Sequence, residues 1–236
     1  MDEKNLNSTC RPTIDVTIQT LKNYRGTTEL SGPCAIGAAL EGAVGISPNN
    51  SPEADTMTHD MKASEGKCDV TLFSKSPERG DTYIIVSKYG YFDKKNRRAF
   101  MKDIKANTPD LFCRADATGI TVYEDSGAEI CYWSHDHCRA GYDKINNILK
   151  IKTKSKISTD GRQEFLVEKL TTFDNFSLDK FIELINSGAI SIAPRRYFTS
   201  TTKNQLTGRF PSRDRGCAFR VSQRYLNQLY KNNTEH

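Results

Sequence analysis

The sequence lacks any apolar run that approaches the roughly 20 residues needed to cross a membrane as a helix. It also lacks internal repeats, low-complexity segments and long linkers. A length of 236 residues is sufficient for one large domain with a substantial core. We therefore expect a soluble, single-domain protein that does not have a membrane partner.

The beginning of the chain lacks the apolar core of a secretory signal, because residues 1–5 read MDEKN. Its seven cysteines are odd in number and are scattered along the sequence. Extracellular proteins more often carry paired cysteines as a disulfide framework, whereas thiols persist in reducing compartments. The prediction is a cytoplasmic protein.

One group of cysteines and histidines invites comparison with a zinc site, namely Cys131, His135, His137 and Cys138. Its spacing is not that of a recurrent zinc finger or ribbon. Tyr132 and Trp133 lie between these residues and are typical of a strand. We therefore do not predict zinc.

The net charge of +5 is mildly basic and permits an anionic partner without requiring one. On a strand spanning 149–157, one face carries Leu149, Ile151 and Ile157, and the other carries Lys150, Lys152, Lys154 and Lys156. This lysine face has two interpretations, a track for phosphates or an edge strand protected against aggregation. A second basic stretch spans a turn and a predicted helix, and most such runs are solvated faces: Lys94, Lys95, Arg97, Arg98, Lys102 and Lys105.

Hydrophobic periodicity and breaker residues predict a mixture of helices and strands. The predicted helices span 14–24, 35–44 ended by Gly45, 98–106, 177–187 capped by Ser177 and ended by Gly188, and a closing helix capped by Ser222. The predicted strands span 56–63, 70–73, 82–87, 120–124, 128–133, 149–157, 189–193 and 217–221. The fold class is α/β or α+β with a central mixed sheet.

The most informative motif is Asp55 followed by Asp60-Met61-Lys62. On a strand the side chains of Asp60 and Lys62 point to one face, together with Thr56 and Thr58, while Met61 faces the core. Two carboxylates can hold magnesium, which prefers oxygen ligands and retains water. The metal lowers the pKa of a bound water, and a neighbouring ammonium favours the hydroxide. This pattern indicates metal-dependent phosphodiester cleavage.

An acid-x-lysine triplet also occurs as an exposed ion pair that contributes roughly 0–1 kcal/mol. Apolar residues between the polar ones favour the functional interpretation, because they place charge on the open face of a half-buried strand. His59, between the two acids, is interpreted as a hydrogen-bonded core or rim histidine without a catalytic role.

The residues around this motif resemble the MvaI/BcnI family of restriction endonucleases, with the BcnI branch closer than the MvaI branch. The resemblance covers most of the chain, and its fragments are short but keep their order and spacing. They are Gly37, Leu40-Glu41, Gly45-Ile46, Asn49-Asn50, Thr71-Leu72-Phe73, Lys75, Pro77, Tyr89-Gly90-Tyr91, Leu184-Ile185-Asn186, Gly188, Asp214-Arg215-Gly216 and Phe219-Arg220.

The resemblance implies a MutH-like member of the PD-(D/E)xK nuclease superfamily that uses Mg²⁺ to cut double-stranded DNA at a short specific site. Asp55, Asp60 and the main-chain carbonyl of Met61 would bind the metal, and Lys62 would be the catalytic lysine. Asp60 departs from the glutamate that is usual in the family, which puts the strength of metal binding in doubt. Glu41 matches an acid that holds a metal-bound water or the lysine, although it is equally interpretable as a helix-surface glutamate.

The same resemblance implies two lobes around a DNA cleft, a catalytic core over 35–110 and a DNA-recognition region over 190–222. Lys75 and Ser74 would lie at the DNA, with Lys75 on a phosphate. The candidates for reading guanine by paired hydrogen bonds are Arg209, Arg213, Arg215 and Arg220. Histidines that read bases in part of the family are absent, because Ser74 and Arg213 or Ala218 occupy the comparable places, which implies a different central base.

The implied enzyme is a monomer that cuts a C/G-rich site one strand at a time, needs no small-molecule cofactor, and has a cognate DNA methyltransferase in the same system. Two alternatives stay open. The first is a MutH-like repair nickase that cuts one strand. The second is a DNA-binding protein of the same fold in which Asp60 marks a decayed site.

Overall fold

A computed structural model describes residues 11–29, 33–46, 53–66, 68–197 and 216–236. The helices in this part of the chain are α1 (Ile14–Leu21), α2 (Pro33–Ala43), α3 (Thr82–Tyr89), α4 (His135–Lys144), α5 (Leu178–Asn186) and α6 (Leu226–Leu229), with a 3-10 turn over Gln223–Tyr225. Three of the predicted base readers, Arg209, Arg213 and Arg215, lie outside the described residues.

The strands alternate with these helices along the chain. They are β1 (Arg25–Thr28), β2 (Asp60–Glu65), β3 (Val70–Lys75), β4 (Arg79–Gly80), β5 (Tyr91–Phe92), β6 (Arg98–Phe100), β7 (Leu111–Ala115), β8 (Gly119–Glu124), β9 (Glu129–Ser134), β10 (Asn147–Ile157), β11 (Gln163–Phe176), β12 (Ile190–Ala193), β13 (Arg196–Tyr197), β14 (Cys217–Val221) and β15 (Tyr230–Glu235).

The chain divides into two compact units. The first is assembled from Met1–Cys68, Asp143–Phe176 and Tyr230–His236, and the second from Asp69–Tyr142 and Ser177–Leu229. The predicted catalytic core of 35–110 is divided between them, and the predicted recognition region of 190–222 belongs to the second unit. None of the helices in the described ranges has the length and apolar character needed to span a membrane.

The first unit is built on one mixed sheet with the strand order β1-β11-β10-β2, and β15 also pairs with β11. β2 runs parallel to β10, and the other pairs are antiparallel. The central mixed sheet predicted from the sequence is therefore confirmed. β2 lies at the end of this strand order, so none of the described strands pairs with its other edge.

One face of this sheet packs against α1 and α2. Met61, Leu149 and Ile151 supply the sheet side of that core, and the helices supply Ile18, Leu21, Ile36 and Leu40. Burial of each of these side chains contributes roughly 1.5–3 kcal/mol. Because side chains alternate across a strand, burying Met61 turns Asp60 and Lys62 to the opposite face.

The strand predicted over 56–63 begins later, at Asp60. The main-chain amide of Thr56 donates to the carbonyl of His59 at 3.0 Å, and the hydroxyl of Thr56 accepts from the amide of His59 at 2.8 Å. These bonds close a turn, so Thr56 and Thr58 do not share the strand face of Asp60. The expectation for those two threonines is wrong, because the threonine hydroxyl competes for the backbone groups that a ladder would use.

The four lysines of β10 do not form an exposed, uniform row. β10 is paired on both sides, by β11 and β2, so the edge-strand interpretation is wrong. Lys150 is buried, whereas Lys152 and Lys156 pair with Glu168 and Glu164 on β11 at 2.9 and 3.0 Å. Cross-strand neutralisation of this kind stabilises a sheet and reduces the charge available to phosphates.

The second unit contains three small sheets, with strand orders β12-β14-β3, β4-β9-β8-β7 and β13-β6-β5. Its core contains large aromatic rings, including a stacked pair of Phe73 and Phe219 with centroids 4.6 Å apart and Trp133 packed edge-on against Phe219. The predicted helix after Ser177 is confirmed, because the Ser177 hydroxyl accepts from the amide of Lys180 and the helix ends before Gly188, whose φ is +77°.

Two predicted elements of the second unit are wrong. Residues 82–87 were expected as a strand but form α3, because the Asp81 carboxylate accepts from the amide of Tyr83 and caps the helix. Residues 98–106 were expected as a helix but begin with β6, which pairs with β5 on one side and β13 on the other. In both cases, capping and strand pairing outweigh the propensities of individual residues.

Several elements have no counterpart in the sequence prediction. β11 is a 14-residue strand that joins β1, β10 and β15. After Ser222 the chain forms only a 3-10 turn and the short α6 before it extends again as β15. Ser222 precedes this turn without a side-chain capping bond, so the closing helix is much shorter than predicted.

Candidate active site

The acid–acid–lysine motif comes together at the start of β2, in the first unit. Asp55 lies in the bend before the strand, Asp60 is its first residue, and Lys62 is the third. Glu41 is contributed by the last turn of α2. The structure thus gathers all four side chains in the unit that also contains β10.

Asp60 is the most buried carboxylate of the group, with a side chain only 1% exposed. Its Oδ2 lies 2.5 Å from Nζ of Lys62, and its Oδ1 lies 3.3 Å from Nζ of Lys144. Although Lys62 is close, Oδ2 accepts no hydrogen bond of normal geometry from the described residues. A buried charge is costly unless it is compensated, and the two ammonium groups offset the burial of this carboxylate.

Asp55 is fixed by the backbone of β2, because the amide of Met61 donates to its Oδ2 at 2.8 Å. Burial and the negative charge of Asp60 raise the pKa of Asp55, while the bond from Met61 and the charge of Lys144 act in the opposite direction. The net effect is a raised pKa, as expected when two carboxylates share a partly desolvated site.

Glu41 belongs to the same electrostatic system. Its pKa is raised by burial and then by the charges of Asp55 and Asp60, and Lys144 and Lys62 oppose that shift. The group therefore contains three acids and two lysines, with an excess of one negative charge when all are ionised. Such an excess favours a cation.

His59 connects the turn before β2 to β11. Nδ1 of His59 lies 2.8 Å from the hydroxyl of Thr58, and Nε2 lies 2.9 Å from Oδ1 of Asp174 on β11. Both ring nitrogens are thus engaged in structural contacts, which confirms the interpretation of a hydrogen-bonded core histidine.

The donor atoms near β2 suit a hard divalent cation. In the described residues, no three acidic, histidine or cysteine side chains converge closely enough to enclose a metal by themselves. Asp55 and Asp60 do provide carboxylate oxygens, one of them the buried Oδ2 without a hydrogen bond. Magnesium commonly takes one or two protein carboxylates and fills its remaining positions with other oxygens, so this donor set fits it.

Lys144 was missed by sequence reasoning. It is the last residue of α4, a helix that the sequence prediction did not include, and it reaches Asp60 from a distant part of the chain. Lysines on solvated helix faces are common, so nothing in the sequence around Lys144 distinguishes it. The only available signal would have been the position of α4 immediately before the strand that pairs with β2.

Lys150 is a second unpredicted feature of this region. It is the register partner of Lys62 on the parallel strand β10, and its ammonium donates to the hydroxyl of Ser64. Burial lowers the pKa of Lys150 to about 8, opposed by the nearby Cys68. A buried ammonium beside a catalytic candidate adds positive potential on the face that carries Lys62.

The predicted DNA-contacting residues that the structure describes belong to the second unit. Ser74 and Lys75 end β3, and Arg220 lies on the adjacent β14. Ser74 on β3 is the register partner of Ala218 on β14. The family resemblance suggests base-reading histidines at these two positions, which lie side by side on neighbouring strands. Nη1 of Arg220 donates to Oδ2 of Asp103 at 3.1 Å, which orients its guanidinium.

Comparison with known proteins identifies the family and the fold. The family model described as the MvaI/BcnI restriction endonuclease family matches residues 18–230. A solved structure described as the restriction endonuclease MvaI–cognate DNA substrate complex is similar at 20% identity and a TM-score of 0.77, covering 94% of this chain and 95% of that one. MvaI in the absence of DNA is similar at 19% identity and a TM-score of 0.55, covering 94% of each chain.

No curated protein matches the sequence. The structural similarity confirms the restriction-endonuclease-like fold, and the family model extends over most of the 236 residues. The family resemblance that the sequence motifs carry is therefore confirmed. The chain belongs to the MvaI/BcnI restriction endonuclease family.

Proposed function

We propose that this protein is a type II restriction endonuclease that hydrolyses phosphodiester bonds of double-stranded DNA at a short, C/G-rich site, cutting each strand in turn and depending on Mg²⁺. The observation that carries the proposal is the position of Asp60, a buried carboxylate between Lys62 and Lys144 beside Asp55. Support for the substrate comes from the similar MvaI structure, which is a complex with cognate DNA.

Asp55, Asp60 and the main-chain carbonyl of Met61 would hold the metal. In an extended strand the N–H and C=O of one residue point to the same edge. The Met61 amide points to Asp55, so its carbonyl is directed to the same side, the edge of β2 with which none of the described strands pairs. When bound, the metal lowers the pKa of a coordinated water and offsets charge that develops on the phosphate.

Lys62 orients the attacking water by donating a hydrogen bond from Nζ to its oxygen. As the water oxygen forms its bond to phosphorus, a proton of the water passes to Glu41 or to solvent, and the Lys62 ammonium favours the negative charge that develops. The bond from phosphorus to the sugar oxygen opposite the attacking water breaks, and that oxygen takes up a proton from solvent. Glu41 accepts a hydrogen bond from the water or from Lys62 and thereby limits their motion. Its raised pKa makes it a better proton acceptor than an ordinary carboxylate.

The aspartate at position 60 supports an active site rather than a decayed one. Because Asp60 is the first residue of β2 and is almost fully buried, its short side chain keeps the carboxylate within reach of both Lys62 and Lys144. Asp60 therefore remains in contact with Lys62, the proposed catalytic lysine.

DNA recognition is assigned to the second unit. Lys75 binds a phosphate, with Ser74 beside it, and such contacts fix the register without reading the sequence. Arg220 retains guanidinium donors beyond the one directed at Asp103 and is therefore able to reach a base. Arg209, Arg213 and Arg215 remain candidate base readers on the basis of the family resemblance.

The proposed enzyme acts as a monomer in the cytoplasm. A nuclease with a short recognition site would also cut the DNA of its own cell, so the proposal includes a DNA methyltransferase of matching specificity. Sequencing the chromosome around the coding region, followed by mapping of methylated bases, tests this partner independently of cleavage.

The decisive experiment is incubation with phage DNA and Mg²⁺, which we expect to yield discrete bands. Asp55→Ala and Lys62→Ala should abolish the bands while DNA binding in Ca²⁺ persists. The matched controls are Asp136→Ala and Lys180→Ala, which remove exposed charges elsewhere. Loss of cleavage in the controls, or cleavage by the Asp55 variant, would contradict the proposed roles.

The final DNA product formed from a supercoiled plasmid distinguishes a restriction enzyme from a MutH-like repair nickase. A restriction enzyme that cuts the strands in turn passes through nicked circles and ends with linear duplex. Persistent nicked circles would identify the nickase instead. DNA binding without any cleavage in Mg²⁺ would identify a catalytically decayed protein.

A further inference from the structure

A β-hairpin of the second unit carries charge that the proposed active site does not use. β5 and β6 pair through Tyr91 with Ala99 and Phe92 with Arg98, and a tight loop connects them. The loop is closed by the amide of Asp93, which donates to the carbonyl of Arg97 at 2.9 Å.

One carboxylate organises the loop. Asp93 Oδ1 accepts from the amides of Lys95 and Arg97, both at 2.9 Å. Asp93 Oδ2 accepts from Nε and Nη2 of Arg97 at 2.9 and 2.6 Å. These charge-assisted bonds hold the tip in one conformation, and Asp93 and Arg97 neutralise each other there.

The two arginines of the hairpin are committed to the protein. The Arg97 guanidinium lies 3.9 Å from the ring centroid of Tyr197. Arg98 donates from Nε to the carbonyl of Val86 at 3.1 Å and from Nη2 to that of Ser87 at 2.6 Å, which ties β6 to α3. They anchor the hairpin and leave Lys94 and Lys95 as the cations presented at its tip.

Lys94 and Lys95 are exposed. Neither forms an ion pair with a carboxylate in the described ranges of the chain. Beside them, Phe92 is 64% exposed and Tyr91 is 41% exposed. Two adjacent ammonium groups next to an exposed aromatic ring form a surface that is complementary to a polyanion with apolar edges.

The hairpin is directly connected to the predicted recognition region. β6 pairs with β13, with Phe100 opposite Arg196 and Ala99 opposite Tyr197. β13 lies within 190–222, the region that the family resemblance assigns to DNA recognition. The Arg97–Tyr197 contact joins the tip to the same strand.

We propose that this hairpin is a further DNA-contacting element, in which Lys94 and Lys95 bind backbone phosphates of the duplex and Phe92 packs against sugar and base edges in a groove. A two-stranded β-ribbon fits a DNA groove, and aromatic or apolar side chains on such elements contact its edges. The inference rests on the proposed function, since it requires a duplex DNA substrate. It adds two phosphate contacts that are independent of sequence and separate from the base-reading candidates.

Salt dependence of binding tests the lysines. Affinity for a random-sequence 30-base-pair duplex is measured in Ca²⁺ over a series of salt concentrations for the wild type and for Lys94→Ala/Lys95→Ala. Each lost phosphate contact reduces the magnitude of the slope of log K against log salt by about 0.9. The slope of the double variant should therefore be about 2 smaller in magnitude than that of the wild type. The control Lys180→Ala/Lys231→Ala removes the same charge from exposed positions elsewhere and should retain the wild-type slope.

Phe92→Ala tests the aromatic contact separately. It should weaken binding by roughly tenfold without changing the salt slope, because no charge is removed. Circular dichroism and thermal unfolding check that each variant folds. A wild-type protein that binds no duplex would overturn the proposed function itself. Wild-type binding with unchanged slope in the double variant, or an equal loss in the lysine control, would overturn the hairpin proposal alone.

Discussion

Lys144 and Asp60 form an ion pair in the candidate active site, with Nζ 3.3 Å from Oδ1. Lys62 approaches the other oxygen of the same carboxylate. Asp60 is therefore compensated by two cations before a metal binds. The positive charge of Lys144 repels a divalent ion that binds Asp60. Lys144 therefore lowers the affinity for the metal, and it also stabilises the metal-free protein.

Lys144→Met should strengthen binding of Ca²⁺ by roughly tenfold, because an ammonium that repels the metal is removed. The same change should lower the free energy of unfolding in EDTA by about 1–2 kcal/mol, since the buried carboxylate loses one of its two partners. Isothermal titration calorimetry and denaturant unfolding measure the two effects. Lys102→Met, at an exposed position, is the matched control, and an unchanged Ca²⁺ affinity in Lys144→Met would refute the moderating role.

Asp55→Asn should raise the melting temperature of the metal-free protein. The pKa of Asp55 is raised by burial and by Asp60, so its ionised form is disfavoured in the folded state. The asparagine side-chain oxygen still accepts a hydrogen bond from the amide of Met61, but the repulsion between the carboxylates at positions 55 and 60 is removed. Differential scanning calorimetry in EDTA should show the gain, and added Ca²⁺ should stabilise the wild type but not the variant.

The pH dependence of the same protein follows from the raised pKa of Asp55 and Glu41. Between the ordinary carboxyl pKa and these raised values, the folded state binds more protons than the unfolded state. The contribution of the two groups to stability is thus present at low pH and is lost as the pH rises through the raised values. Melting curves in EDTA at several pH values should show a weaker dependence in Asp55→Asn than in the wild type; identical dependences would contradict the assignment.

Lys150→Met should stabilise the protein at pH 7. Burial lowers the pKa of Lys150 to about 8, so at neutral pH the folded state carries an ammonium at a cost of about 3 kcal/mol. As the pH rises from about 8 towards the ordinary pKa of lysine in the unfolded chain, the unfolded state binds more protons than the folded state. The wild type therefore recovers this stability. The advantage of the variant in urea unfolding should therefore fade by pH 10, whereas the exposed-site control Lys154→Met should show no such trend.

Asp60→Glu, which introduces the acid usual in the family, should reduce cleavage rather than increase it. The Asp60 site is almost fully closed, and an additional methylene displaces Lys62 or Lys144 from the carboxylate. Overpacking of a closed site costs about 1–3 kcal/mol. Single-turnover cleavage and unfolding in EDTA measure the two losses, and a variant with faster cleavage would show that the shorter acid limits the enzyme.

The local part of the site was predictable from the sequence. The alternation of side chains along a strand correctly places Asp60 and Lys62 on one face and Met61 on the other, because this placement depends only on neighbouring residues. Lys144 could not be predicted in the same way, since its contact with Asp60 depends on where α4 ends in space. The contacts of Lys150 likewise depend on the pairing of β10 with β2.

The errors in the predicted fold also have physical causes. Residues 82–87 contain several β-branched and aromatic residues typical of a strand, but the cap supplied by Asp81 starts a helix there. The basic stretch near Arg98 has the composition of a solvated helix, yet pairing with β5 and β13 makes it extended. The first outcome depends on a local cap that competes with strand propensity, whereas the second depends on non-local strand pairing that a single sequence does not reveal.

The first unit draws its strands from three separate parts of the chain. β2, which carries Asp60 and Lys62, pairs with β10, whose residues leave the ribosome long after the acids themselves. β15, at the end of the sequence, completes the same sheet. Contacts this distant in sequence form only when both partners have been synthesised. A nascent chain therefore carries every ligand of the proposed metal site while it still lacks the strands that bring them together, so the proposed DNA cleavage requires synthesis of β10 and β15 first.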